Sequence, residues 1–224
     1  MDIYDNLLEA VHNEYDTIRL IKKSKRGEVS LVRHRDSGTR YIFRHFYGSS
    51  EVYQLLLTIS CPYLPQIMEV GERDGRTVLL EEYVQGDTLR DILECGLLTV
   101  AEARQITRQL CSALWVLHSM GVVHRDVKPD NVIVRGKEAV LIDFDASRIY
   151  KSAIQEDTQI LGTTGFAAPE QYGLSQWFFR NYPLLLLYPM YLNFASSNCL
   201  PHLPYIVRFI IFNLLLVPST NPLL

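Results

Sequence analysis

Eight consecutive residues, His124-Arg125-Asp126-Val127-Lys128-Pro129-Asp130-Asn131, constrain this chain more than any other feature. They form a polar segment crowded with groups that move protons or bind cations. Upstream, Thr99 with Glu102 three residues on is a capping box. Apolar residues then recur at Ala103, Ile106, Leu110, Ala113, Leu114 and Leu117, the one-face pattern of a helix ending at Gly121. Downstream, residues 132–134 and 139–142 read as two short strands. The polar segment is thus a loop held between a long helix and a strand pair. Its bland reading is a loop whose His, Arg and Asp merely satisfy one another.

The rest of the chain as far as Gln176 reads as α+β. Three β-prone runs, 17–20, 28–34 and 39–46, are separated by turns at Lys25-Arg26-Gly27 and Asp36-Ser37-Gly38 and suggest an antiparallel meander. Residues 51–59 suggest a short helix, and 67–70 and 77–84 two further strands joined at Arg73-Asp74-Gly75. Thr88 followed by Asp91 starts another short helix, which Gly96 closes. The front half is therefore a small sheet with one helix, and the part that follows is mainly helical.

Composition narrows the partners. A net charge of −3 with no basic stripe gives nucleic-acid binding no electrostatic support. Residues 1–14 are acidic and lack the apolar run of an export signal. Cys61, Cys95, Cys111 and Cys199 are scattered without a Cys-x-x-Cys pair, which argues against zinc and a disulfide framework and for a cytoplasmic location.

The chain changes character near residue 177. Every Asp and Glu lies at or before Glu170, and beyond Trp177 the only charged side chains are Arg180 and Arg208. Six of the ten prolines fall in this tail and interrupt its apolar runs. Those runs are shorter than the about 20 apolar residues of a membrane span, so none is expected. The tail is expected not to belong to the fold encoded upstream, as a frameshift or a truncated gene would produce.

The octapeptide, in its setting between helix and strands, resembles the catalytic loop of protein kinases, and the chain is similar to bacterial serine/threonine members of that superfamily. The resemblance implies an antiparallel-sheet N-lobe over residues 14–84, a partial C-lobe over 85–176, and a tail, 177–224, that does not match. It implies Asp126 as acceptor of the substrate hydroxyl's proton, Lys128 as neutraliser of charge on the moving phosphoryl group, and Asn131 as a magnesium ligand. Asp143-Phe144-Asp145 resembles the Asp-Phe-Gly signature, with Asp143 as the second magnesium ligand. Gly162 to Glu170 ends in Ala168-Pro169-Glu170, similar to the end of a kinase activation segment. There Thr163 would face Asp126 and Lys128, and Thr158 and Thr164 would be candidate phosphosites. The hinge residues Glu82 and Val84 would meet adenine, with Ile133 beneath it. ATP, magnesium and a protein bearing Ser or Thr are the implied cofactors and partner.

Several positions depart from the pattern. Of the glycine-rich loop only Gly27, near Val29, remains, and Lys22 and Ser24 stand at the first two glycine positions. Arg44 fills the strand-three lysine position, Ile42 that of the small residue over adenine, and Glu81 the gatekeeper position. If the lysine-to-helix ion pair has a counterpart, it is Arg44 with Glu51. Alternatively, Lys22, Lys23 or Lys25 supplies the phosphate contact, or forms only a solvated turn. Three functions therefore stand: a serine/threonine protein kinase, a non-catalytic pseudokinase-like binding module, and an inactive truncated product. No Asp follows Glu170 to anchor the catalytic loop from a later helix, so low activity is expected.

Overall fold

In a computed structural model the described residues are 2–149. The expected activation segment with Thr158, Thr163 and Thr164, and the whole of 177–224, lie outside them.

Five strands form one antiparallel sheet: β1 (Tyr15–Ser24), β2 (Gly27–His34), β3 (Arg40–Tyr47), β4 (Ile67–Arg73) and β5 (Arg76–Glu82), in spatial order β1-β2-β3-β5-β4. The β4–β5 hairpin turns at Asp74 (φ 52°) and Gly75 (φ 70°). Two left-handed residues in succession suit the right-handed twist of the flanking strands. Directly paired residues share a face. Val29, Arg44 and Leu79 form one row, and Leu31, Ile42 and Glu81 the next, where the sheet pairs β2 with β3 and β3 with β5. The short helix α2 (Glu51–Leu56) buries Val52, Tyr53 and Leu56 in the core that also holds Leu79.

The opposite face is covered by a helix absent from the sequence-based expectation, α1 (Ile3–Glu14). Tyr4, Leu7, Leu8 and Val11 recur at helical spacing and pack on Val32, Phe43, Val78 and Leu80. Their stripe is short and the segment is acidic, so it carries no extended apolar run. The approach is close: a Cβ on Gly71 would lie 2.6 Å from the Tyr4 backbone nitrogen, so β4 needs glycine there. Arg73 pairs with Asp5 and stacks 4.8 Å from the Tyr4 ring centre, and the Tyr4 hydroxyl meets His45 Nε2 at 3.0 Å.

The second half begins with β6 (Asp87–Thr88) and α3 (Leu89–Cys95), then α4 (Val100–Ser119), β7 (Val122–Val123), β8 (Val132–Arg135), β9 (Glu138–Leu141) and β10 (Arg148–Ile149). The expected capping box of Thr99 with Glu102 is present, and Thr88 with Asp91, expected only as a helix start, forms a second. Strands β6, β8 and β9 form a small sheet, and β7 pairs with β10. Gln109 fastens α4 to the β8–β9 turn: its Nε2 donates to the Lys137 carbonyl (3.0 Å) and its Oε1 accepts from the Ala139 amide (2.9 Å). One apolar core runs from Val52, Tyr53, Leu56 and Leu79 through Leu110, Leu114, Leu117, Val132 and Leu141 to Phe144. The sheet and the loop after α4 are therefore held against each other by a shared interior. The architecture agrees with the expected α+β class, with α1 as an addition. Among the described residues no helix is long and apolar enough to cross a membrane.

Candidate active site

The loop after α4 is fixed from beneath by His124, which is 1% exposed. Its Nε2 lies 3.2 Å from the Ile142 carbonyl and its Nδ1 3.4 Å from the Asp126 amide. A carbonyl only accepts and an amide only donates, so the imidazole is neutral with its proton on Nε2. Burial pushes its pKa down to about 4. The backbone then turns through Arg125 at φ 68° and closes in a 3₁₀ turn over Pro129–Asn131. This geometry gathers three side chains. Lys128 Nζ lies 2.7 Å from Asp126 Oδ2, and Asn131 Nδ2 donates to the same oxygen at 3.0 Å and to the Asp126 carbonyl at 2.8 Å.

The strand β9 delivers Asp143 beside this loop. The Ile142 amide donates to the Asn131 carbonyl (2.9 Å), and Ser147 Oγ donates to the His124 carbonyl (3.2 Å), so the two segments are stitched together. Asp143 itself is left-handed, φ 66°. Two non-glycine residues in this region of backbone space, Arg125 and Asp143, flank the stitched loop, as strained residues at functional sites do. Phe144 is buried between the His124 ring (5.2 Å between centres) and the Tyr53 ring (6.2 Å). Burial works to raise the Asp143 pKa, but the nearby cations Arg44 and Lys22 outweigh it and hold the carboxyl below its ordinary range.

Arg44 is where the structure departs most from expectation. Its Nε donates to Glu81 Oε1 at 2.7 Å, and its Nη1 to Asp143 Oδ1 at 3.1 Å and Asp145 Oδ1 at 3.2 Å. The expected Arg44–Glu51 pair does not form. Glu51 opens α2 at an exposed position, whereas Arg44 points into the interior, where Glu81 is its in-sheet partner. The gatekeeper glutamate and the strand arginine are one buried ion pair. Burial pushes the Glu81 carboxyl up while the guanidinium opposes it, and Glu81 Oε2 has no hydrogen-bond partner among the described residues. Of the three candidate lysines, Lys22 is the one that reaches the site, 3.6 Å from Asp145 Oδ2, whereas Lys23 pairs with Glu28.

The remaining expected residues fall on β2, after β5 and on β8. Gly27 opens β2, and a Cβ there would sit 2.2 Å from the His45 carbonyl, so this glycine is required by strand packing alone. Val29 shares the Arg44 row. Val84 is buried. The Glu82 carboxylate is held at the lobe junction by Arg135 (2.6 Å) and the Gln66 amide (3.2 Å). Ile133 on β8 pairs with Thr88. Gly86, unremarkable in the sequence, lets the chain after the hinge press on β8: a Cβ would be 2.3 Å from the Val134 carbonyl and 2.9 Å from Ile133 Cγ2. Tyr53 is likewise outside the expected set, since an aromatic in an apolar helix reads as core; its hydroxyl donates to Asp145 Oδ1 at 3.2 Å.

Comparison with known proteins decides the family. The protein kinase domain model matches residues 15–176. The chain belongs to the protein kinase domain family. It is 32% identical over 126 residues to the serine/threonine-protein kinase pkn2 of Myxococcus xanthus, covering 53% of this chain and 15% of that protein. To the serine/threonine-protein kinase PknD of Mycobacterium tuberculosis it is 30% identical over 173 residues, covering 70% of this chain and 26% of the relative. A mammalian relative, sperm motility kinase 1 of Mus musculus, is 31% identical over 172 residues, 73% of this chain and 35% of its own. The chain thus spans 15 to 35% of these kinases. The matched segment contains the loop, Asp143 and the activation-segment signature, and it leaves out α1 and the tail.

The kinase residues present fit magnesium. Asp143 is held ionised, and the residue before it, Ile142, is hydrogen-bonded to Asn131, so a carboxylate and a side-chain amide oxygen come from joined segments. Among the described residues no three His, Cys, Asp or Glu gather into a self-sufficient metal site.

Proposed function

We propose that this chain is built for serine/threonine protein kinase chemistry, transfer of the γ-phosphoryl group of ATP to a protein hydroxyl. The observation that carries this reading is the Asp126 carboxylate gripped by Lys128 and Asn131, with Asp143 stitched alongside. In this reading Asp126 orients the hydroxyl and accepts its proton, and the Lys128 ammonium offsets negative charge as the phosphoryl group moves. Asn131 and Asp143 would hold magnesium, which supplies charge neutralisation on the phosphates when bound. Gly27, Val29, Ile133 and the hinge at Glu82 and Val84 enclose the nucleotide, and Lys22 together with Arg44 provides the cationic side. Glu51 stands apart from this pocket, at the start of α2. Residues 14–84 serve as N-lobe, 85–176 as partial C-lobe, and 177–224 as a separate tail. A cytoplasmic setting with a protein substrate completes the proposal, supported by free Cys61, Cys95 and Cys111.

Transfer of labelled γ-phosphate to a mixed protein substrate by residues 1–224 tests it. Asp126→Asn is expected to lower the rate by about 10²- to 10⁴-fold, the usual contribution of a positioned base. Equal labelling by wild type and Asp126→Asn would contradict the reading. A second reading, a non-catalytic binding module, is favoured by one observation: Arg44 is already engaged by three carboxylates of its own chain.

A further inference from the structure

We propose that Asp145 and Tyr53 are positioning residues, forming with Arg44 a relay that ties strand β3 to helix α2 and seats Asp143 on the catalytic loop. Two of the chain's departures meet here. An aspartate follows Phe144, and the strand cation is an arginine whose link to α2 does not run through a carboxylate of that helix. The geometry joins them into one unit. Asp145 Oδ1 receives both Arg44 Nη1 and the Tyr53 hydroxyl, each at 3.2 Å, while its Oδ2 faces Lys22 Nζ at 3.6 Å. Tyr53 projects from α2, and Arg44 from β3, so the carboxylate bridges helix to sheet.

The same Arg44 Nη1 also holds Asp143 Oδ1 at 3.1 Å. Asp143 and Asp145 are therefore drawn to one nitrogen, with Phe144 between them packed on the Tyr53 ring. A guanidinium presents several donors in a rigid fork, which lets one side chain hold Glu81 through Nε and both aspartates through Nη1. A lysine ammonium could not fix all three in one plane. Burial pushes the Tyr53 phenol well above its ordinary value, so it stays protonated and donates to the carboxylate. The segment that carries Asp143 is left-handed at that residue and needs such external restraint.

Asp145 could instead be a spare charge that repels phosphate, and the two roles predict opposite results. Tyr53→Phe separates them, because it removes one hydroxyl, keeps the ring packing and leaves every charge in place. The measurement is amide hydrogen exchange on the full 224-residue chain for wild type, Tyr53→Phe, Asp145→Asn and the double variant. The relay predicts about tenfold faster exchange at Ile142 and Ser147 in each single variant, the size of one hydrogen bond to a charged group. The double variant should be little faster than Asp145→Asn, and α4 amides should be unchanged. Unaltered exchange at Ile142 and Ser147 in Tyr53→Phe, or equal acceleration in α4, overturns the proposal. The functional consequence rests on the kinase reading: Tyr53→Phe should weaken ATP binding several-fold in magnesium and leave magnesium-free binding unchanged. A wild-type chain that binds no magnesium-ATP counts against the kinase reading, while the exchange data still decide the relay. Tighter magnesium-ATP binding by Asp145→Asn would mark Asp145 as a repelling charge and refute it.

Discussion

Arg44 and Glu81 are each almost fully enclosed, and neither is tolerable there alone. Removing one partner of a buried ion pair typically costs roughly 3–5 kcal/mol, whereas replacing both with apolar groups is often neutral or stabilising. Arg44→Met is accordingly expected to lose about 3 kcal/mol in urea unfolding, and Arg44→Met with Glu81→Leu to recover part of that loss. Recovery stays partial, because Asp143 and Asp145 lose the same cation. Additive losses would contradict the pairing. His124 gives a second test. Its native pKa of about 4 lies below the ordinary 6.5, so the unfolded chain takes up a proton first. Stability from this group is complete above about pH 6.5 and declines as pH falls toward about 4, by roughly 3 kcal/mol in all. Burial also depresses His45 and His118 in the same direction, so the comparison is with His124→Asn, whose stability should slope less over that window. An unchanged slope would contradict a neutral buried His124.

Elements with a local physical cause can be read in advance. The Thr99–Glu102 capping box, the helix start at Thr88, the α4 stripe and the Asp74-Gly75 turn are legible in the sequence because each is a local pattern with its own physical cause. Helix α1 is not, since the four apolar residues that dock it hide among charges and only the uncovered face of the sheet calls for them. The site divides in the same way. The loop from His124 to Asn131 is legible as a run, but the link from Arg44 to Glu81, 37 residues away, and to Asp145, 101 residues away, appears only when the strands pair. Arg44, Glu81 and Asp145, which read separately as losses from a family pattern, are one linked charge cluster. For α1, Leu7 is 2% exposed on the outer sheet face. Leu7→Ala should cost roughly 2–5 kcal/mol, as other buried leucines do. A change within experimental error would mean that α1 is not docked.

At the scale of the whole molecule, one core carries both the sheet and the catalytic loop, so their placement against each other is set by packing as well as by polar contacts. The apolar chain from Val52 and Tyr53 through Phe144 to Leu117 explains how Asp143 and Arg44 meet from opposite halves. In the proposed kinase reading, the sheet and the loop together hold magnesium-ATP despite the unusual charge arrangement. Thermal unfolding of residues 1–224 with ATP, with and without magnesium, tests it most directly, with Asp143→Ala alongside. A ligand at about a hundredfold excess over its Kd stabilises the folded state by about 2.7 kcal/mol. The predicted result is a magnesium-dependent rise in melting temperature that Asp143→Ala abolishes. A melt indifferent to magnesium-ATP, or an equal rise in Asp143→Ala, would contradict it.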